Sequence, residues 1–287
     1  MAKTEHQHPV RTRCLNIQLA AVFQLVWRAG VGQSGVMSGR IAALCRHPVK
    51  GFTPERLDEA RLEAGRFFPC DRIYAVEDGP SGFDPRAPVF IPKTRFAVLA
   101  KIAEVAKART AYDESSGVLH AEADGLDPFK GNLETAQGRA AFAGWLGELL
   151  GEAASSALKV VHAEGHRFTD HPTGYVSVIN LESLRELESR IGQPIDPLRF
   201  RANLYVEGWP AWSELSAEGR EVRLGSARAQ VMKSIVRCAA TQVNPSTAER
   251  DIDVPAALFE AYGHVLCGVY VEVVGSGDVR EGSAAIL

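Results

Sequence analysis

Residues 37–52, MSGRIAALCRHPVKGF, decide how the rest of the chain is read. Residues 40–45 alternate as a half-buried first strand does, and His47-Pro48-Val49 ends that strand, leaving Lys50 just past the break. Met37 then reads as the biological start, and residues 1–36 as an N-terminal extension without structure of its own. Two other readings of that extension stay open, a weak amphipathic surface helix and a cleaved signal. Arg11 and Arg13 precede an apolar run, but Asn16, Gln18 and Gln24 interrupt it, and Arg28 closes it short of the roughly 20 residues a spanning helix needs.

Downstream of the first strand, short extended runs alternate with turn chemistry. The runs are residues 66–68, 72–77, 96–104, 108–112 and 118–123, and Glu77-Asp-Gly-Pro-Ser-Gly82 and Asp113-Glu-Ser-Ser-Gly117 are loop or hairpin signals. This predicts an N-terminal β-barrel or curled sheet over residues 37–130. Phe142, Trp145, Leu146, Leu149 and Leu150 recur at helical spacing, and Gly151 stops that helix. An extended stretch over 158–163, a polar loop over 164–174 and a strand over 175–179 follow. Asn180 caps a second helix whose Leu181, Leu184, Leu187 and Ile191 share one face, and Gly192 ends it. Extended runs return at 200–206, 221–224, 229–232 and 237–241, a brief helix at 255–262, and strands at 265–274 and 278–287. Many short strands, few helices and no repeating βαβ unit predict an α+β, β-rich fold of two β-barrel-like halves, 37–130 and 131–287, with a cleft between them.

Composition narrows the function. The chain has 287 residues, 46% hydrophobic and 23% charged, with 32 Lys and Arg against 35 Asp and Glu. That balance excludes a disordered, collagenous or membrane-bundle protein and predicts no stable membrane insertion. A net charge of -3 argues against nucleic acid, whose binding needs clustered cations that release counterions. Five cysteines, Cys14, Cys45, Cys70, Cys238 and Cys267, form no CxxC pair, so a reducing, cytoplasmic setting is expected. No phosphate-binding glycine loop, HExxH or GxSxG is present.

Few residues stand out as chemical on their own. His162, His166 and His171 lie close together in a loop, where metal spacing means little. Cys45 and Cys267 fall inside apolar runs and read as core, and Cys70 reads as a turn residue. Cys238 ends a strand with Lys233 and Arg237 nearby. Cations there favour a thiolate that binds soft metals or attacks electrophiles, and a buried core cysteine is the other reading. Strand alternation turns Arg237 to the opposite face unless the strand has ended or bulged.

The order His47-Pro-Val-Lys50-Gly51, Asp71-Arg72-Ile-Tyr-Ala-Val76, Phe200-Arg201-Ala-Asn203-Leu204, Trp212-Ser-Glu-Leu215, Arg237-Cys238-Ala-Ala-Thr241-Gln-Val243-Asn-Pro245 and Gly268-Val-Tyr270 resembles the MOSC family with its N-terminal β-barrel domain. That family includes the mitochondrial amidoxime-reducing component and its bacterial relatives. The resemblance runs from Met37 to the end. It implies a molybdenum cofactor, a pterin dithiolene bearing a phosphate, in the cleft between the halves, and it implies no pyridoxal phosphate. By the same resemblance Cys238 is the catalytic residue and metal ligand, and Lys50, Lys93, Thr173, Arg201, Asn203 and Arg237 bind the cofactor. The implied activity is oxygen removal from N-hydroxylated small molecules. Electrons would come from a separate flavoprotein or ferredoxin-like donor, since no cluster of four cysteines is fused to the chain. A sulfur- or cofactor-carrier role, with a persulfide or thiolate on Cys238, is the alternative. The chain departs from the family pattern at Ala202, where proline is usual, and at Asn244, where aspartate is usual.

Overall fold

Pairing of the first strand shows how the chain closes on itself. The computed structural model describes residues 35–287, so the expectation for residues 1–36 lies almost wholly outside the described residues. In chain order the strands are β1 (Ser38–Arg46), β2 (Glu55–Leu57), β3 (Glu59–Leu62), β4 (Ala75–Asp78), β5 (Arg109–Asp113), β6 (Val118–Glu122) and β7 (Phe129–Asn132). Helix α1 (Ala136–Leu150), β8 (Leu158–Val161), β9 (Val176–Asn180), α2 (Leu181–Ile191), β10 (Leu204–Glu207), β11 (Glu221–Leu224) and β12 (Ala227–Val236) follow. The chain ends with α3 (Val254–Tyr262), β13 (Leu266–Gly275), β14 (Gly277–Arg280) and β15 (Ala284–Ile286).

Seven strands form a closed barrel in the order β1, β10, β9, β13, β12, β11, β15 and back to β1. Closure leaves no barrel edge unpaired, and β2 adds to the outside of β1. All barrel pairings are antiparallel except β9 with β10. Parallel neighbours need a crossover, which α2 supplies. The Asn180 side chain accepts from Glu182 N at the start of α2, and Gly192 ends it in left-handed backbone. Its apolar face, Leu184 and Leu187, packs against Ile179, Phe200 and Tyr205. The barrel interior is filled by Ile41, Leu44, Val176, Val178, Leu204, Val206, Val222, Leu224, Val231, Val269, Val271 and Val273, each at most 2% exposed.

The fold is therefore α+β and β-rich, and its two halves are interleaved. The N-terminal strand β1 is a stave of a barrel built mostly from later residues, and β14 returns to pair with β3. The rest of the first half is a β5-β6-β7 meander and a β4-β8 pair, with α1 laid over them. Phe142, Leu146 and Leu150 of α1 enter one core with Phe52, Tyr74, Tyr112 and Leu119. The position between residues 130 and 131 falls inside β7.

Several predicted strands take other forms. Residues 237–241 lie past the end of β12 and run into the 3-10 turn Ala239–Gln242. Residues 66–68 are irregular, and residues 96–104 hold a lone bridge from Phe96 to Glu77 followed by a 3-10 turn. Their apolar side chains fill the core without a strand partner. Residues 278–287 split at Glu281–Ser283 into β14 and β15, which pair with different neighbours.

Candidate functional site

At the end of β1 the backbone turns through His47-Pro48 and makes a single parallel bridge between Val49 and Tyr74. Lys50 N donates to Tyr74 O, 2.8 Å, and this aims the lysine inward rather than into solvent. Gly51 follows with φ +90, where a Cβ would lie 2.8 Å from Val98 Cα, so only glycine fits. Lys50 is 4% exposed, and its Nζ donates to Phe168 O at 2.7 Å and to Asp170 Oδ1 at 2.5 Å. Burial lowers its pKa despite the attraction of Asp170.

Beside it stand two arginines in left-handed backbone, Arg72 and Arg201. Such conformations cost about 1–3 kcal/mol in non-glycine residues and collect at functional sites. Arg72 pairs with Asp71 and donates to Arg201 O at 3.1 Å. Arg201 follows a 3-10 turn, Pro197–Phe200, and donates through Nη1 to Phe52 O; its Nη2 is buried with no partner among the described residues. Burial, reinforced by the charge of Arg72, lowers Arg201 to about 10. His47, fully buried behind them, lies 3.4 Å from Asp71 Oδ1 through Nδ1, and neither ring nitrogen makes a hydrogen bond. Burial and the neighbouring arginines push it down to about 3.

The sulfur comes from the other half. The ladder between β12 and β13 shifts register three times, and β12 ends at Val236. Arg237 turns away from the sulfur: its Nε and Nη2 donate to Cys267 O and its Nη1 to Phe200 O. Thr241 closes the next turn by donating through both N and Oγ1 to Cys238 O, at 3.0 and 2.9 Å. Between these anchors Cys238 is held half-buried, and Lys93 Nζ donates to its Sγ at 3.2 Å. Lys93 also reaches Asp170 Oδ2 at 3.3 Å. Burial opposes its charge, but Asp170 and Cys238 prevail and raise its pKa.

A cleft of about 440 Å³ joins these groups. All seven residues predicted for the site, Lys50, Lys93, Thr173, Arg201, Asn203, Arg237 and Cys238, line it. They are not equally free. The Asn203 amide is committed to protein, accepting from Ser177 N and Oγ and donating to Cys45 O, and the Arg237 guanidinium is committed to carbonyls. Thr173 is exposed on the loop before β9. One wall is aromatic: His171 stacks on Tyr175 at 4.7 Å, and Tyr270 lies 6.0 Å from Tyr175 with Lys233 over its ring. Burial, then the charge of Lys233, lowers the His171 pKa.

Sequence reasoning left Arg72, Asp170, Tyr270 and Arg199 outside the site. Arg199 is 3% exposed and paired with Asp251 at 2.6 Å, and Asn244 Nδ2 donates to Asp251 Oδ2 at 2.8 Å. An aspartate at 244 would face that carboxylate, so asparagine there fits Asp251. The three loop histidines separate into different packings: His162 on Tyr74, His166 on Phe83 and Phe168, His171 on Tyr175. Among the described residues no group of three or more His, Cys, Asp or Glu side chains has a metal-holding arrangement. Cys45 and Cys267 are core thiols that burial pushes up to about 11 and about 12.

Comparison with known proteins follows this geometry. The sequence model of the MOSC N-terminal β-barrel domain matches residues 38–157, and that of the MOSC domain matches residues 165–285. The chain belongs to the MOSC family. Among solved structures it is similar to the YuaD protein of Bacillus subtilis, at 15% identity over 88% of this chain and 96% of that one, with a TM-score of 0.43. It is also similar to YiiM of Geobacillus stearothermophilus, at 20% identity over 39% and 53% of the two chains, with a TM-score of 0.31. No curated protein shows significant sequence similarity to it. Among the described residues no helix is long and apolar enough to cross a membrane.

Proposed function

We propose that the cleft holds a molybdenum cofactor and that the protein reduces N-hydroxylated small molecules by removing their oxygen. The observation that carries this reading is the half-buried Cys238 sulfur sharing one cleft with Lys50, Arg72, Lys93 and Arg201. The donor set suits the group. A soft sulfur stands at one end, and at the other the buried Arg201 Nη2, free of any protein acceptor, lies among cations that suit an anionic phosphate. A volume of about 440 Å³ is in the usual range for a cofactor site.

In this reading Cys238 ligates the metal, and Lys50, Arg72 and Arg201 hold the anionic part of the cofactor. When bound, the cofactor would supply the redox chemistry, a two-electron oxygen-atom transfer with electrons from a separate donor protein. The chain's own residues set position and charge. Arg237 and Thr241 fix the backbone on either side of Cys238. Lys93 donates to the sulfur and keeps its positive charge beside it. His171, with a lowered pKa, is neutral at pH 7 and suits a proton relay rather than a standing acid.

The test is purification from a host that makes the cofactor, followed by metal analysis and amidoxime reduction with an artificial electron donor. About one molybdenum per chain and measurable reduction are expected, with Cys238→Ala losing roughly 100-fold or more in rate. Unchanged metal and activity in Cys238→Ala would overturn the reading. Cyanide-releasable sulfur on Cys238 in a metal-free protein would assign the carrier role instead.

A further inference from the structure

Asp170 lines the cleft, and the cofactor reading does not use it. One carboxylate oxygen lies 2.5 Å from Lys50 Nζ and the other 3.3 Å from Lys93 Nζ, so a single side chain bridges two ammonium groups. Among the described residues those two lysines are its only hydrogen-bond donors. Lys50 has little room for a second anion, because it is 4% exposed and another of its protons goes to Phe168 O. The segment carrying Asp170 has no regular structure, and its side-chain hydrogen bonds besides those of Asp170 are local, Thr169 Oγ1 to His171 O and Thr173 N to His171 Nδ1. The Asp170 side chain is 45% exposed, so a path for it to leave is open.

We propose that Asp170 is a built-in counter-anion that competes for the seat between Lys50 and Lys93, so that a phosphate-bearing ligand enters by exchange with its carboxylate. Two anions cannot share those ammonium groups without like-charge contact. A phosphate dianion brings more charge than the carboxylate it replaces and can win the exchange. A monocarboxylate offers no such gain and is turned away. Asp170 thereby sets specificity, favouring dianionic phosphate over singly charged anions, and the loop from Thr169 to Gly174 opens as ligand binds. The inference rests on the cofactor reading for the identity of the natural phosphate, but not for the exchange itself.

Calorimetric titration of the full chain at pH 8 with inorganic phosphate and with acetate tests it. The unsubstituted protein should bind phosphate and ignore acetate. Asp170→Asn should bind phosphate about tenfold more tightly and gain measurable acetate binding, and Lys50→Gln should lose phosphate binding. Equal or weaker phosphate binding by Asp170→Asn would overturn the proposal, since Asp170 would then be part of the grip. Should that variant fold poorly, hydrogen exchange on the unsubstituted chain decides: residues 169–174 should exchange faster with phosphate bound, and slower exchange contradicts the proposal. Phosphate exchange of this kind in a chain that never carries molybdenum would sink the cofactor reading and leave the role of Asp170 standing.

Discussion

The barrel interior and the cleft wall lie next to one another on the same strands and obey opposite rules. Inside the barrel Leu44 and Val269 belong to one cluster of buried apolar side chains, and closure pairs the staves all round. A few residues beyond the end of β1 or β12, Lys50 and Arg237 are buried, each tied by specific hydrogen bonds. The interior gains stability by removing apolar surface from water, about 25 cal/mol per Å². Burying an ion pair returns little net stability, so the charges of the cleft are better explained by what they bind.

The largest contrast is expected from substitutions on either side of that border. Leu44→Ala should cost about 2–5 kcal/mol in urea unfolding while leaving anion binding by the folded protein unchanged. Lys50→Met should change stability by less than about 1 kcal/mol, because the desolvation cost of the ammonium goes with it while Asp170, partly exposed and still paired with Lys93, is not left as an uncompensated buried charge, yet anion binding should vanish. Comparable stability losses for both would erase the distinction.

Acid should act through the cleft wall before it touches the barrel. His47 is held neutral, with a pKa near 3 against about 6.5 when unfolded. Between those values the unfolded chain binds the extra proton. Stability is therefore complete above about pH 6.5 and falls as pH drops below it, by at most about 1.4 kcal/mol per pH unit. Urea unfolding at pH 7 and pH 5 should show this fall, and His47→Leu should lessen it, leaving the share of His166 and His171, whose pKa values burial also lowers. An equal slope in the variant would place the acid sensitivity elsewhere.

Smaller effects sharpen the picture. Asn244→Asp should destabilise by about 1 kcal/mol, because it sets a second carboxylate against Asp251 and loosens the Arg199 pair. Thermal unfolding at pH 7 would show it, and the loss should shrink as the new carboxyl is protonated. Arg56→Ala, which breaks an ion pair with Glu281 whose side chains are 64% and 53% exposed, should move stability by no more than about 0.5 kcal/mol.

How much could be read in advance follows the same border. The second helix was legible at both ends because its signals are local: the Asn180 cap, the apolar spacing and Gly192 all act within one turn. The strand leading towards Cys238 was legible, but alternation did not settle the direction of Arg237, because β12 bulges and ends at Val236 and the Cys267 and Phe200 carbonyls hold the guanidinium. Lys50 looked solvated on its own, because only the bridge from Val49 to Tyr74 and the return of Asp170 bury it. Arg72 and Asp170 carry no spacing signal; their neighbours are Arg201, 129 residues away, and Lys50, 120 residues away. Residues 96–104 looked like a strand because apolar content alone does not separate a strand from a packed irregular segment.

The central claim is that one cleft binds one metal-bearing pterin, with the sulfur of Cys238 as its protein ligand. Its most direct test is the molybdenum and extractable pterin content of the unsubstituted chain and of Cys238→Ala, both purified from a host that makes the cofactor. The account predicts about one of each per chain in the first, and in the variant either depleted metal or one sulfur fewer around molybdenum by X-ray absorption. An identical metal content and an identical sulfur count around molybdenum in the variant would contradict it.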